Sequence, residues 1–308
     1  YDALMAALFA RLDASIRRNF EEQNAFRAHR AAHSMNPLLS CFVSDCLERG
    51  EDIERGGARY NWIMPSFVGM ANLVDSLHAI NELVYRQRRL TLAEFKRILD
   101  ADFAGHEALQ HEILETIPKY GNDNDEIDGL FTRLVEHIVS ECRKYTPMLP
   151  NGRLIPSVFC WIMHERFGVT TGATPDGRHA GDVLAHGINP QAGASKKGLI
   201  PMANSAASAD MRKFQGGSIQ VDIQPRFFDG KENRYAYIRD FSSAFFKNGG
   251  MQINLHILDL KKLEDAMEHP EKPEYQDLVV RIGGYSDYFV RLTPEMQEEV
   301  ILRTAHSL

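Results

Sequence analysis

The pattern of apolar residues changes character at Pro150, and that change limits the folds open to the chain. Before it, apolar positions recur at helical spacing: Leu4, Leu8, Phe9, Leu12, Ile16 and Phe20 lie among Arg and Glu within residues 1–30. Further helices are predicted over Pro37–Glu48, with Gly50 as the stop, and over Phe67–Tyr85, with Val68, Leu73, Leu77, Ile80 and Val84 on the buried side. Thr91 and Glu94 form a capping box for Leu92–Ala101, and residues 125–145 give one more helix. Beyond Pro150 come short β-rich segments, Leu154–Met163, Ser218–Ile223, Met251–Leu258 and Leu278–Ile282. Loops such as Thr171–Gly181 and Gly187–Gly198 separate them, as do the helical stretches Lys261–Glu268 and Pro294–Thr304. Strands alternating with helices and long loops predict an α/β layered or barrel core.

Composition removes several function classes. At 308 residues, 44% hydrophobic and 25% charged, the chain is too apolar for disorder and long enough for about two domains or one large α/β unit. A net charge of −7 argues against nucleic acid and anionic membranes as partners. No apolar stretch approaches the ~20 residues of a membrane helix. The start, Tyr1-Asp2-Ala3-Leu4-Met5, does not read as a secretory signal, and the missing initiator Met suggests a piece of a longer chain. Cys41, Cys46, Cys142 and Cys160 have neither disulfide-framework nor zinc-site spacing, which suggests a reducing, cytoplasmic compartment.

Several tempting motifs fail on spacing. His106-Glu107 and His111-Glu112 resemble a metalloprotease helix, but the interval of five swings the second His off the first one's face, leaving a solvated helix surface. The run Asp123–Gly129 resembles a calcium loop, yet Ile127 and Leu134 occupy oxygen-ligand positions; a polar turn capping the next helix is the better reading. Gly172–Gly177 lacks a P-loop Lys and reads as structural. No Gly-x-Ser-x-Gly elbow occurs, and Cys160, between Phe159 and Trp161 in the expected strand, reads as a buried core thiol, as does Cys46 in its helix. By these tests no metal site, no bound cofactor and no self-contained acid–base site is expected.

Val280-Arg281-Ile282-Gly283-Gly284-Tyr285-Ser286 stands apart: a strand ends in adjacent glycines, which alone would read as a tight turn. Arg281-Ile282-Gly283-Gly284-Tyr285 resembles the signature of the glycyl radical enzymes, Arg-Val-x-Gly-Tyr close to the C-terminus, with Ile for Val. The tail Leu292–Thr304 is similar to that family's closing helix. Asp45–Gly50, Gly56–Asn61, Ala71–Leu77, Lys119–Asp123 and Thr171–Gly181 resemble, in order, further landmarks of its catalytic subunit.

The resemblance implies the later part of a ten-stranded β/α barrel, with Gly284 on a buried loop. It divides the chain into residues 1–186, part of a pyruvate-formate-lyase-like domain, and 187–308, the glycyl radical domain. It makes Gly284 the radical site, with Arg281, Gly283 and Tyr285 supporting the loop, and has Leu154–Met163 line the active site. It implies that a separate activating enzyme, using S-adenosylmethionine and an iron–sulfur cluster, installs the radical, and that the full enzyme is a homodimer acting on a small-molecule substrate. The family's thiyl loop, Gly-Cys-Val-Glu, matches none of the four cysteines and is expected upstream. Gly284-Tyr285-Ser286-Asp287-Tyr288-Phe289 resembles the dehydratase, decarboxylase and C–N or C–S lyase branches. Formate-lyase-type acyl transfer to coenzyme A and a stand-alone spare part that repairs a damaged enzyme are the alternatives.

Overall fold

The computed structural model describes residues 1–230, 233–282 and 285–305, with the side chains of 304 and 305 excluded. In chain order the helices are α1 (Asp2–His33), α2 (Pro37–Ser40), α3 (Cys46–Arg49), α4 (Met70–Ile80), α5 (Leu92–Asp100), α6 (Glu107–Glu115), α7 (Asp125–Cys142), α8 (Met163–Thr170) and α9 (Leu199–Ala207). Strand β1 (Ser218–Ile223), α10 (Arg234–Lys247), β2 (Gln252–Ile257), α11 (Leu260–Glu268), β3 (Val279–Arg281), β4 (Ser286–Tyr288) and α12 (Pro294–Ala305) follow. A mixed α/β fold is the result. It divides into two compact units: residues 1–66, 134–157 and 213–215 form the first, and 67–133, 158–212 and 216–308 the second.

In the first unit α1 rests on the C-terminal half of α7. Phe9 stacks on the His137 ring at 4.0 Å, and Asp13 Oδ1 meets His137 Nε2 at 2.6 Å. The helix expected over Pro37–Glu48 is instead two short ones. Ser40 Oγ donates to Asp52 Oδ2 (3.0 Å) and accepts from the Ile53 N–H (2.9 Å), competing with helix continuation. Asp45 then takes φ 77°, while its carboxylate receives the Arg59 and Arg49 guanidinium groups. Gly50, at φ 61°, does end the second piece.

Leu154–Met163 is not the strand expected. Leu154 and Ser157 make only isolated parallel bridges to Ile63 and Ser66. Between them Pro156 has no N–H to continue a ladder, and Trp161 turns the chain at φ 47° just before α8.

In the second unit α4 continues into a single π-helical stretch, Asn81–Arg86, so the long helix expected to Tyr85 changes winding before its end. The Thr91–Glu94 capping box is present: Thr91 Oγ1 accepts the Glu94 N–H (3.2 Å), and Glu94 Oε2 accepts the Thr91 N–H (2.8 Å). It fixes the start of α5, whose Phe95 and Ile98 are buried in a cluster with Leu83, Phe103 and Ile113. Replacing Thr91→Ala should cost about 1 kcal/mol in urea unfolding; an unchanged midpoint would contradict the capping role.

Strand β1 pairs in parallel with β2, Ser218 opposite Gln252 through Ile223 opposite Ile257, and α10 supplies the crossover a parallel pair needs. All six β1 residues are buried, with α9 and α12 packed against the strand. No described helix is long and apolar enough to cross a membrane.

Candidate functional site

Strands β3 and β4 pair antiparallel, Arg281 opposite Ser286 and Val279 opposite Tyr288, and the Ile282 N–H donates to the Tyr285 carbonyl at 2.9 Å. Gly283 and Gly284 lie outside the described residues. Their flanks are well packed. Val280 and Ile282 are buried with Leu263, Tyr275, Phe289, Met296 and Val300, and Tyr285 packs against this cluster. Burial raises the Tyr285 phenol above its ordinary range, with Asp287 and Glu165 adding to the shift.

The strand entering the glycines is tied from behind by Arg303 on α12. Its Nη2 donates to the Arg281 carbonyl (2.9 Å), its Nε binds Asp222 on β1, and its Nη1 lies 3.4 Å from Glu299. One guanidinium fork thus joins the last helix, the buried parallel strand and the segment before Gly283. Burial alone would lift the Asp222 carboxyl, but Arg303 outweighs it and, with His256, holds the pKa below the usual range. Glu299 is raised by burial, and its two acidic neighbours push Arg303 up.

Asp222, Glu299 and Arg303 also line a cavity of about 700 Å³, whose wall includes His186, Asp75 and Lys119. Three of the landmark motifs meet around it. Asn72 Nδ2 donates to Asp176 Oδ2 (2.7 Å) while its Oδ1 accepts the Ala185 N–H (2.7 Å). Lys119 Nζ donates to the Asp176 carbonyl (2.6 Å), and Asp75 Oδ1 accepts the Tyr120 N–H (2.7 Å). Burial lifts Asp75 to about 7 and lowers Lys119. Landmarks that read as chemistry therefore act as bracing. In the first unit, likewise, Asn61 Nδ2 is shared among the carbonyls of Gly56, Ala58 and Pro150.

The rejected motifs behave as their spacing required. His106 and His111 are exposed on or beside α6. Asn124 Oδ1 accepts the Glu126 and Ile127 N–H groups at the start of α7, and Ile127 is wholly buried. Arg178 holds the Thr171–Gly181 loop by donating to the carbonyls of Thr171 and Asp182. Cys46 and Cys160 are buried, unbridged thiols.

Spacing could not reveal a third grouping. Cys160 lies just before α8, and His164 lies in its first turn. The Leu184 N–H donates to the His164 carbonyl (3.1 Å) and brings His186 alongside. Cys160 Sγ is 3.8 Å from His164 Nδ1, and the two imidazoles meet edge to face at 5.0 Å. Burial lifts the Cys160 thiol to about 11; burial, with Arg303 nearby, lowers His164 to about 4 and His186 well below its usual value. A second cluster, His78, Glu82 and Glu126, is already engaged: Arg86 binds both carboxylates.

Residues 1–168 match the family Pyruvate formate lyase-like, and residues 184–290 match the family Glycine radical. The chain belongs to the glycyl radical enzymes. Among these it is 33% identical over 279 residues to the probable dehydratase YbiW of Escherichia coli K12, covering 88% of this chain and 34% of that protein. The structure of hydroxyproline dehydratase from Clostridioides difficile, with trans-4-hydroxy-L-proline bound, superposes with a TM-score of 0.93 at 30% identity, covering all of this chain and 38% of that one. The glycerol-bound B12-independent glycerol dehydratase of Clostridium butyricum gives a TM-score of 0.90 at 32% identity, over 98% of this chain and 38% of that one. This glycyl radical enzyme chain thus spans about a third of the length of the curated relatives it matches.

Proposed function

We propose that this chain stores a glycyl radical at Gly284 and serves radical elimination or bond cleavage (C–O, C–N, C–S or C–C) on a small organic substrate. The carrying observation is Arg281-Ile282-Gly283-Gly284-Tyr285 lying inside the Glycine radical match. Dehydratase relatives put C–O cleavage first and give no support to acyl transfer to coenzyme A. In this reading residues 187–308 are the glycyl radical domain, and 1–186 belong to the pyruvate-formate-lyase-like domain of a ten-stranded β/α barrel. Gly284 sits on a loop inside that barrel. The Pyruvate formate lyase-like match over residues 1–168 extends well beyond a radical domain and counts against a spare part.

Loss of one Hα from Gly284 leaves an unpaired electron shared between the amide nitrogen and the carbonyl, which needs a near-planar α-carbon that a Cβ would hinder. Gly283 adds backbone freedom. Arg281 and Tyr285 support the loop: the first through the Arg303 contact at its carbonyl, the second by packing on the buried cluster. The reading requires an activating enzyme with S-adenosylmethionine and an iron–sulfur cluster, a thiyl cysteine outside the four present here, a reducing cytoplasm and a homodimeric assembly.

Anaerobic incubation with such an activating enzyme should give an organic radical signal in electron paramagnetic resonance, a doublet from the remaining Hα. Gly284→Ala should give none. Absence of the signal from the unaltered chain, or its survival in Gly284→Ala, would remove the assignment.

A further inference from the structure

We infer that Cys160, His164 and His186 form a three-ligand site for a thiophilic divalent cation, Zn(II) before others. The inference does not depend on the radical reading. All three side chains are buried, at 3%, 1% and 3% exposure, and one ligand atom from each falls within 4.8 Å of the others. On a tetrahedral zinc a thiolate sulfur and an imidazole nitrogen stand about 3.6 Å apart. Cys160 Sγ and His164 Nδ1 are already at 3.8 Å.

His186 supplies the second, independent observation. Neither of its ring nitrogens has a hydrogen-bond partner, and both are sealed from solvent. A buried imidazole always presents a polar nitrogen at each of two positions, and native interiors rarely leave both unmet. A cation between the three side chains would satisfy one of them and would explain why this ring faces Cys160 and His164. Backbone N–H groups of Gly187 and His164 also act on the Cys160 sulfur, an arrangement that stabilises a metal-bound thiolate from behind.

The mixed donor set selects the metal class. One thiolate and two imidazoles suit Zn(II) or Co(II), whereas Mg(II) and Ca(II) prefer all-oxygen shells. The nearby positive charge of Arg303 is matched by Asp222 and Glu299, so it leaves no unpaired cation beside the site. Of the three ligands His186 alone lines the cavity, which gives water a route to the fourth position. Binding displaces the Cys160 proton to solvent and leaves all oxidation states unchanged. The metal would clip the start of α8 to the loop at 184–189.

The unactivated full chain, stripped with chelator and kept anaerobic, should bind one equivalent of Zn(II). With Co(II) it should show the near-ultraviolet charge-transfer band of a cobalt–thiolate bond. Cys160→Ser should abolish the band, and His186→Asn should weaken binding by more than about 100-fold. Substituting the exposed Cys41→Ser should leave both unchanged. Absence of the band from the unaltered chain overturns the inference, even if Cys160→Ser fails to fold. So does stoichiometric binding that survives in a folded Cys160→Ser, or a band lost with Cys41→Ser.

Discussion

Replacing Arg303→Met should destabilise the second unit by about 3–5 kcal/mol, the cost of breaking a buried ion pair from one side. The Arg303 side chain is 9% exposed and its partner Asp222 is sealed at 0%. Removing the guanidinium strands a carboxylate inside β1, frees Glu299 and leaves the Arg281 carbonyl without this donor. Lysine at the position keeps a charge but lacks the fork that reaches Asp222 and the Arg281 carbonyl together, so Arg303→Lys should recover only part of the loss. The double variant Arg303→Met with Asp222→Leu should be closer to the unaltered protein than Arg303→Met alone, because no uncompensated charge remains. Denaturant unfolding, with hydrogen exchange at the β1 amides as the local probe, reads the effect. A loss below about 1 kcal/mol in Arg303→Met would show that the pair contributes no more than an exposed one.

The second large effect is a pH dependence centred on Asp75. Burial lifts this carboxyl from 3.8 to about 7, although Lys119 and the Tyr120 N–H pull the other way. A raised folded-state pKa contributes stability that is fully present below about pH 4, where both states hold the proton. As pH rises the unfolded chain releases its proton first, and the contribution falls away until the folded state also ionises near pH 7. Asp75→Asn keeps an oxygen for the Tyr120 N–H and cannot titrate. The stability of the unaltered chain relative to Asp75→Asn should therefore decline by a few kcal/mol between pH 4 and pH 8. A difference that stays flat across that range would mean that Asp75 and Lys119 form a permanent ion pair.

Legibility in the sequence followed the range of the interactions. Elements specified within a few residues were readable: the α5 capping box, the periodic run of α7, the β1 and β2 segments, and α12 after Pro294. The helix expected at Pro37–Glu48 failed because Ser40 is claimed by Asp52, twelve residues on, and apolar spacing carries no trace of that competition. The strand expected at Leu154–Met163 was apolar enough, but Pro156 and the turn at Trp161 outweigh composition. Arg281-Ile282-Gly283-Gly284-Tyr285 was conspicuous because its glycines break a strand pattern. Arg303 and Asp222 were not, being 81 positions apart and each ordinary in its own neighbourhood. His186 escaped for the same reason: a Cys-x-x-x-His pair becomes a triad only when the loop after Leu184 folds back onto α8. A Cys160–His164 spacing followed by an isolated His in a Gly-rich loop was the faint signal available.

The position of Arg303 also bears on what oxygen would do. A backbone cut at Gly284 would leave β4 and α12 on a separate peptide, with Asp222 and the Arg281 carbonyl on the other side of the break. A clamp that closes within one molecule would then depend on two molecules staying together, at the mercy of dilution. Once the short peptide drifts off, Asp222 is left charged in an apolar interior and the cluster around Val280 and Phe289 is opened to water. Oxidative damage at one glycine would thereby become loss of the surrounding fold, marking the spent chain for removal.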